Sequence, residues 1–376
     1  MIDPHVQYQK FSVVIASHGR EKLLVSLIES LNQAKSSTHA DVEIIVVDST
    51  PAAKASDINK ACAELGVTLI NGPKSVRRKR NLGAETASGN WLFFVDSDCE
   101  VSPEIFNSYL RIIESNPEFT AGAGPTVFRG GETSFTKRIE HSSLQNPFRQ
   151  PTEEKQLLWA TTSNLLVRKD VFDDLNGFKV NLPFKLGGDD TDFCLRLRDK
   201  SHKLISVPEA VCYHSWTTWS RPLSVVRRSF RWGWMQSYLL REFPQYRRID
   251  TPGLPVHTLA CLIIAGVLAI FGNLYFLAMP VIFVLLAVLF HAFAVSIRAS
   301  KPLSMFVKDI TLAIVELPFG FGRALGSLAR FSLVGLFFRL DVDDTGAYKV
   351  FPNNARALLC DNFAFICVAL FAGWIA

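Results

Sequence analysis

The sequence lacks the cysteine patterns that build disulfide frameworks or zinc sites. Its seven cysteines are odd in number, scattered over 376 residues, and include no Cys-x-x-Cys pair. Small secreted domains carry cysteines in even sets, and zinc sites usually carry closely spaced pairs. The pattern argues against both classes and favours reduced thiols in a cytosolic domain.

Two glycine-rich nucleotide-binding loops are also missing. No Gly-x-Gly-x-x-Gly follows the first predicted strand, and no Walker lysine loop occurs in the chain. Such loops bring backbone amides to the phosphates of dinucleotides and nucleoside triphosphates. Dinucleotide-binding and P-loop folds therefore lose support.

Charged side chains are absent from residues 254–297. This stretch is long enough for two membrane spans of about 20 residues each, broken near Gly272. Residues 310–338 and 357–376 are further hydrophobic segments, and the first of these could span, re-enter or lie in the interface. The pattern predicts a membrane region at 253–376 with about three to four hydrophobic segments. Basic flanks, and an N-terminus without an apolar signal segment, predict that the preceding domain is cytosolic.

Short apolar runs alternate with helical periodicity in residues 1–215. The runs at 11–16, 42–47, 67–70 and 91–95 predict strands, and the spacing predicts helices at 23–31, 53–65 and 76–87. This alternation predicts an α/β fold with a doubly wound, mostly parallel sheet.

Carboxylates follow two of the predicted strands. Asp48 ends one run, and Asp96 and Asp98 end another. Ligands of open α/β sheets bind at the carboxyl edge of the strands, and carboxylate oxygens suit Mg²⁺ or Mn²⁺. We expect Asp48 to contact the base or ribose of a nucleotide, and Asp96 and Asp98 to hold a metal–diphosphate group. The alternative is that Asp96 and Asp98 form a turn and cap the next helix.

A basic cluster, residues 77–80, opens the helix before the central strand. Four consecutive cations cannot all face one ligand, so one or two at most are expected at a site. An anion such as a diphosphate would suit both these side chains and the helix N-terminus. A solvated charged face or a nucleic-acid patch is the alternative.

An ordered set of motifs between residues 11 and 214 resembles the family 2 glycosyltransferases of the GT-A fold. The set consists of Ser17-x-x-Arg20, the strand-ending Asp48, Arg80-Asn81-x-Gly83, Asp96-Ser97-Asp98, Gly188-Asp189-Asp190-Thr191-Asp192-Phe193-Cys194-Leu195-Arg196, and the strand-ending His214. Asp189 stands where the family usually has Glu. The order of the set is far more specific than any one motif.

The resemblance implies an inverting transfer of a sugar from a nucleotide-sugar donor with Mg²⁺ or Mn²⁺. It implies that Asp190 is the general base and that Asp98 and His214 face the metal. The donor-binding residues it implies are Ser17, Arg20, Asp48, Arg77, Arg80 and Asp96. The acceptor or sugar side would include Trp159, Asn164 and Asp189.

Three of these residues also have structural interpretations. Asp190 could be a first-turn acid stabilised by the helix dipole. His214 could be a structural histidine at the end of a strand. Trp159 could be a core tryptophan as readily as a surface on which a sugar stacks.

The junction at residues 216–252 combines aromatic and basic residues. Large side chains recur every three or four residues at Leu223, Val226, Phe230, Trp234 and Tyr238. An amphipathic helix with arginines on its other side suits a membrane surface. We therefore expect no nucleic-acid partner.

The expected protein is a multi-pass enzyme of the cell (inner, cytoplasmic) membrane with its catalytic domain on the cytosolic face. Its acceptor would be lipid-linked or membrane-proximal, in glycan, polysaccharide or glycolipid assembly. Arg231-Trp232 lacks the Gln of a processive Gln-x-x-Arg-Trp motif, which favours transfer of a single sugar. The alternatives are a nucleotidyltransferase, for which Ser17-His18-Gly19-Arg20 matches the required loop poorly, and a non-catalytic membrane scaffold with a degenerate domain.

Overall fold

The computed structural model describes residues 9–140, 142–184, 187–249, 253–271, 274–298, 303–340 and 366. The chain divides into two compact units. The first comprises Met1–Glu132 and Gln145–Thr218, and the second comprises Thr133–Leu144 and Trp219–Ala376.

The described strands and α-helices are numbered along the chain. The strands are β1 (Lys10–Ser17), β2 (Asp41–Asp48), β3 (Thr68–Asn71), β4 (Trp91–Asp96), β5 (Cys99–Val101), β6 (Ala121–Ala123), β7 (Thr126–Arg129), β8 (Gln156–Leu157), β9 (Leu165–Arg168), β10 (Leu204–Ser206), β11 (Cys212–Ser215), β12 (Arg247–Ile249) and β13 (Phe338–Leu340). The helices are α1 (Glu21–Ser36), α2 (Ser56–Glu64), α3 (Val76–Thr86), α4 (Ile105–Ser115), α5 (Ser134–Ile139), α6 (Asn146–Glu153), α7 (Lys169–Asp174), α8 (Asp189–Asp199), α9 (Pro222–Glu242), α10 (Leu254–Ile270), α11 (Met279–Arg298), α12 (Leu303–Leu328) and α13 (Val334–Phe337).

The main sheet of the first unit has the order β3-β2-β1-β4-β9-β6-β10-β8. The predicted α/β fold is confirmed, but the sheet is mixed. The pairs β1–β2, β1–β4, β2–β3 and β6–β10 are parallel, and the three pairs β4–β9, β6–β9 and β8–β10 are antiparallel. An apolar run shows that a strand is buried but carries no information about its direction, so the reversed β9 was not visible in the sequence.

Strand β4 is buried on both faces, as its apolar run predicts. Phe93 packs against Phe106 and Tyr109 of α4 on one face, and Phe94 packs against Phe172 and Phe178 on the other. Each side chain of this size contributes about 1.5–3 kcal/mol when it leaves water. Packing on both faces therefore holds β4 in place and fixes the position of Asp96 at its end.

Strand register places the predicted polar residues at one edge. Ser17 lies opposite Asp48 in the β1–β2 pair, and Ala16 lies opposite Asp96 in the β1–β4 pair. The expectation that the strand-end carboxylates share a sheet edge is confirmed. A smaller sheet, β5-β11-β7, places His214 opposite Cys99, directly after Asp98.

In the second unit, α9 packs closely against α12. A Cβ atom added at Gly233 would lie 1.8 Å from the carbonyl oxygen of Phe319, and one added at Gly322 would lie 2.0 Å from that of Phe230. Ser229 is also buried on α9, whereas Leu223 of the predicted apolar stripe is 58% exposed. Close helix approach selects small residues, so the spacing of large side chains did not identify the buried face.

None of the helices in the described ranges is both long enough and apolar enough to cross a membrane. The spans expected within residues 254–297 and 310–338 therefore have no support among the described helices. Apart from Ile366, the segment expected at 357–376 lies outside the described residues.

Candidate active site

Asp98 is a buried carboxylate with two partners that carry or can carry positive charge. Arg20 Nη1 lies 2.7 Å from its Oδ2, and His214 Nε2 lies 3.5 Å from its Oδ1. Burial alone would raise the pKa of Asp98, but His214 and Arg20 lower it below the ordinary value. The group is therefore kept ionised, as a metal ligand must be.

The imidazole of His214 is held in one orientation. Its Nδ1 lies 3.0 Å from the carbonyl oxygen of Ser215, so this nitrogen donates and Nε2 faces Asp98. The ring stacks on Phe128 with centroids 4.6 Å apart, and Phe148 meets it edge-on at 6.1 Å. A metal-binding histidine commonly donates its second N–H to a carbonyl in this way.

Cys99 is a neighbour of this pair that sequence reasoning missed. Potential ligand atoms of Asp98, Cys99 and His214 lie within 4.8 Å of one another. Burial raises the pKa of the Cys99 thiol well above its ordinary value, and a protonated thiol is a poor ligand for hard ions. The carboxylate and the imidazole fit Mg²⁺ or Mn²⁺, with donor phosphates completing the coordination. In the sequence, Cys99 is marked only by its position next to Asp98. Its proximity to His214 depends on strand pairing, which the sequence pattern does not show.

A second group lies at the ends of β1 and β2. Asp48 accepts hydrogen bonds from the backbone N–H and the hydroxyl of Thr50, at 2.8 and 2.9 Å. Lys79 is 1% exposed and donates to the carbonyl oxygen of Ser17. Burial lowers the pKa of Lys79, while Asp48 acts in the opposite direction. The hydroxyl of Ser17 is buried with no hydrogen-bond partner among the described residues.

Lys79 was not predicted as a site residue. The sequence predicts one or two members of the basic cluster at a site, and the structure buries Arg77, Lys79 and Arg80 and exposes Arg78. Local spacing gave no signal that three of these cations are enclosed.

Arg77 and Arg80 face carboxylates of the chain itself. Arg80 Nη1 lies 2.7 Å from Asp189 Oδ2, and its Nη2 lies 2.7 Å from Asp96 Oδ1. Arg77 donates to the carbonyl oxygen of Gly187 at 2.9 Å, and its Nε lies 3.6 Å from Asp189 Oδ1. The expected contacts of Arg77, Arg80, Asp96 and Asp189 with donor or acceptor remain predictions. Their contacts in this structure are with one another.

Asp190 lies in the first turn of α8, as predicted. Its carboxylate accepts a hydrogen bond from the backbone N–H of Thr191 at 2.8 Å. Burial and the adjacent Asp189 raise the pKa of Asp190 to about 7, against the opposing charge of Arg80. A carboxyl group in this state can accept a proton near neutral pH.

The two remaining candidates lie in or against the core. Asn164 is 1% exposed; its Nδ2 donates to the carbonyl oxygens of Pro125 and Ala210, and its Oδ1 accepts from the hydroxyl of Tyr109. Both N–H groups of the amide therefore bind within the chain, and the expected role of Asn164 on the acceptor or sugar side stays a prediction. Trp159 is half-buried against the apolar cluster on one face of the sheet. This placement matches its alternative interpretation as a core residue.

Comparison with protein families supports the resemblance for part of the chain. Residues 12–175 match the family model described as Glycosyl transferase family 2. An uncharacterized glycosyltransferase of Haemophilus influenzae is 27% identical over 216 residues, which cover 55% of this chain and 68% of that protein. Glycosyltransferase AglE of Haloferax volcanii is 25% identical over 235 residues, covering 59% and 71%. The O-antigen biosynthesis protein RfbC of Myxococcus xanthus is 23% identical over 220 residues, covering 54% of this chain but 17% of RfbC.

Solved structures show weaker likeness. The mannosyltransferase PcManGT from Pyrobaculum calidifontis, in complex with GDP-Man and Mn²⁺, has a TM-score of 0.49 and 15% identity, with 83% of this chain and 88% of that chain covered. S. aureus TarS has a TM-score of 0.41 and 16% identity, covering 62% and 43%. These scores support no inference about this chain. The family match remains the stronger finding: the segment 12–175, which holds Asp48, Asp96 and Asp98 but ends before Asp190 and His214, is similar to glycosyl transferase family 2.

Proposed function

We propose that this protein is a glycosyltransferase that moves a sugar from a nucleotide-sugar donor to a hydroxyl group of an acceptor. The family match over residues 12–175 carries the proposal, because that segment contains the strand-end carboxylates that lie at one sheet edge. The named relatives include two glycosyltransferases and an O-antigen biosynthesis protein, which suits a role in polysaccharide or glycolipid assembly.

The donor side of the proposal uses the groups at this edge. Asp98 and His214 would hold Mg²⁺ or Mn²⁺, which would neutralise charge on the leaving nucleoside diphosphate. Arg20, 2.7 Å from Asp98, is a second cation close to that position. Asp48 and Ser17 lie on the neighbouring strand ends, where a base or ribose would be bound.

The acceptor side of the proposal uses Asp190. The acceptor oxygen attacks the anomeric carbon, the bond from that carbon to the diphosphate oxygen breaks, and the acceptor proton passes to the Asp190 carboxylate. Attack opposite to the leaving group inverts the configuration at the anomeric carbon. A pKa of about 7 suits a base that works near neutral pH.

A donor panel tests the proposal directly. Purified full-length protein is incubated with each common nucleotide-sugar, with Mn²⁺ or Mg²⁺, and release of the nucleoside diphosphate is measured. We expect release from one donor or a small set of donors and loss of release with EDTA. Absence of release from every donor, with membrane lipids supplied as acceptor, would contradict the proposed activity.

We further propose that the second unit associates with the cytosolic face of the cell (inner) membrane, where it would meet a lipid-linked or membrane-proximal acceptor. Large apolar side chains at the end of α10 and shortly after it support this, because Ile270, Phe271 and Tyr275 are 82%, 83% and 92% exposed. Large exposed apolar patches mark membrane or protein contacts. Flotation with lipid vesicles tests the association.

A further inference from the structure

We propose that Arg77 and Arg80 are positioning residues, which hold the start of α8 against the end of β4 and do not bind the donor. The inference rests on the proposed function only in giving Asp190 the role of base. Its structural part concerns contacts within the first unit and can be tested without any transfer reaction.

Arg80 joins two elements that are far apart in sequence. One terminal nitrogen of its guanidinium contacts Asp189 at the start of α8, and the other contacts Asp96 at the end of β4, both at 2.7 Å. The planar guanidinium fixes the angle between its two N–H directions. Arg80 therefore sets the distance between the metal-side strand and the helix that carries Asp190.

Arg77 adds a second attachment one helical turn earlier on α3. Its Nη2 donates to the carbonyl oxygen of Gly187 at 2.9 Å, and its Nε lies 3.6 Å from Asp189 Oδ1. Residues three apart lie on the same side of a helix. Both arginines therefore face the turn that leads into α8.

The described part of the turn, Gly187 and Gly188, consists of two glycines. Gly187 and Gly188 have φ values of 90° and 77°, and α8 has no side-chain cap at Gly188. Glycine reaches this region freely but also many others, so its backbone is poorly fixed without outside contacts. The two arginines supply those contacts.

Because these ion pairs are buried, the loss of one partner is costly. The side chains of Arg77, Arg80 and Asp189 are 2%, 9% and 7% exposed. Removing one partner of a buried ion pair leaves a charge without compensation, so the remaining groups rearrange. Both terminal nitrogens of Arg80 contact carboxylates, and its side chain is only 9% exposed, so a diphosphate would reach its other N–H groups only if these contacts opened.

Arg80 also acts on the candidate base. Among the charged groups with the largest effects on the pKa of Asp190, Asp189 and Asp96 raise it and Arg80 lowers it. Loss of the guanidinium would therefore both loosen the turn and favour the protonated carboxyl group.

The test compares Arg80→Met, Arg77→Met and Asp189→Asn in the full chain with Arg78→Met. Arg78 is exposed on the same helix, so its variant removes the same charge without touching the turn. Amide hydrogen exchange is measured over residues 187–199, and affinity for UDP and GDP with Mn²⁺ is measured by calorimetry. We expect exchange at 187–192 to rise at least about tenfold in the first three variants, while nucleotide affinity changes less than about threefold.

Arg78→Met should alter neither readout. In Arg80→Met, kcat should fall at least about tenfold and the acidic limb of its pH profile should move upward. Asp189→Asn is nearly isosteric, so it keeps the test valid if a methionine variant does not fold. Unchanged exchange combined with at least tenfold weaker nucleotide binding would overturn the proposal. If exchange rises in the variants but the unchanged protein transfers no sugar, the positioning role of the two arginines is supported and the proposed transferase activity is contradicted.

Discussion

Asp98 is the residue at which a metal and a donor would meet. Its partners are Arg20 and His214, and both favour its ionised form. Asp98→Asn keeps the size of the side chain but removes its charge. We expect the variant to lose the Mn²⁺-dependent part of nucleotide binding, measured by calorimetry with and without the metal, while its circular dichroism spectrum is unchanged.

Glu100 offers a matched control for Asp98. It lies two residues further on and forms an exposed pair with Arg129 at 2.7 Å, and exposed pairs contribute little. Glu100→Gln should leave metal-dependent binding intact. If nucleotide binding depends on Mn²⁺ equally in Asp98→Asn and in the unchanged protein, Asp98 is not a metal ligand.

Asp190 separates the chemical step from binding. Asp190→Asn keeps the shape of the side chain and the start of α8, so nucleotide and metal affinity should survive. Loss of a positioned base costs about 10²–10⁴-fold in rate, and we expect kcat to fall at least about a hundredfold. Normal turnover would leave Asp190 as a helix-start acid, and loss of donor binding would place it on the donor side.

The raised pKa of Asp190 has consequences for pH dependence. Transfer should rise as pH increases through about 7, because only the ionised carboxylate accepts a proton. Stability should move in the opposite direction. The folded-state pKa lies above the unfolded value, so this contribution to stability is complete below the ordinary carboxyl pKa and is lost as pH rises through about 7.

Thermal unfolding of Asp190→Asn checks this sign. The amide cannot ionise, so the melting temperature of the variant relative to the unchanged protein should increase between pH 5 and pH 8. A difference that is constant over that range would show that Asp190 has an ordinary pKa.

At the residue scale, the sequence predicted positions better than contacts. Asp48, Asp96 and Asp98 were placed at one edge because strand ends can be read from apolar runs. The partners of Arg80 and the proximity of Cys99 to His214 depend on pairings between distant segments, which local patterns do not encode. The contacts of the Asn164 amide with the carbonyl groups of Pro125 and Ala210 likewise join segments that are distant in the sequence.

At the scale of elements, the contact of α9 with α12 depends on the absence of side chains. Gly233 and Gly322 allow the two backbones to approach until an added Cβ would overlap a carbonyl oxygen. The Gly322-x-x-x-Gly326 spacing was present in the sequence, but the aromatic and basic residues of α9 suggested a helix lying on a membrane instead. Small residues are a weaker sequence signal than large ones, although they decide how closely helices pack.

Gly322→Ala is expected to destabilise the second unit. The added methyl group must push α9 away, and overpacking of this kind costs about 1–3 kcal/mol. Gly266→Ala in α10 is the control, because its Cβ meets nothing within 4 Å and alanine favours the helix. Protease resistance of the second unit measures both variants, and equal resistance would show that the helices do not pack as described.

At the scale of the whole molecule, the two units differ in how many large apolar side chains they expose to solvent. The first unit buries most of its large apolar side chains on the two faces of a sheet, whereas the second exposes large ones at the end of α10 and in residues 274–277. If a bilayer covers these side chains, the protein should float with lipid vesicles. Apolar contact is not screened by salt, so binding should persist at 0.5 M NaCl. Attraction that depended on the arginines of α9 would instead weaken there.

The double variant Phe271→Ser with Tyr275→Ser tests which surface is responsible. Each side chain contributes on the order of 1.5–3 kcal/mol when it leaves water, so the partition coefficient should fall at least about tenfold. Leu65→Ser removes an exposed apolar side chain from the first unit and should leave partition unchanged. Binding that is lost in high salt and indifferent to the double variant would assign membrane attraction to the basic residues. If the double variant still transfers sugar to a soluble acceptor, these two side chains bind the enzyme to the membrane and take no part in the reaction.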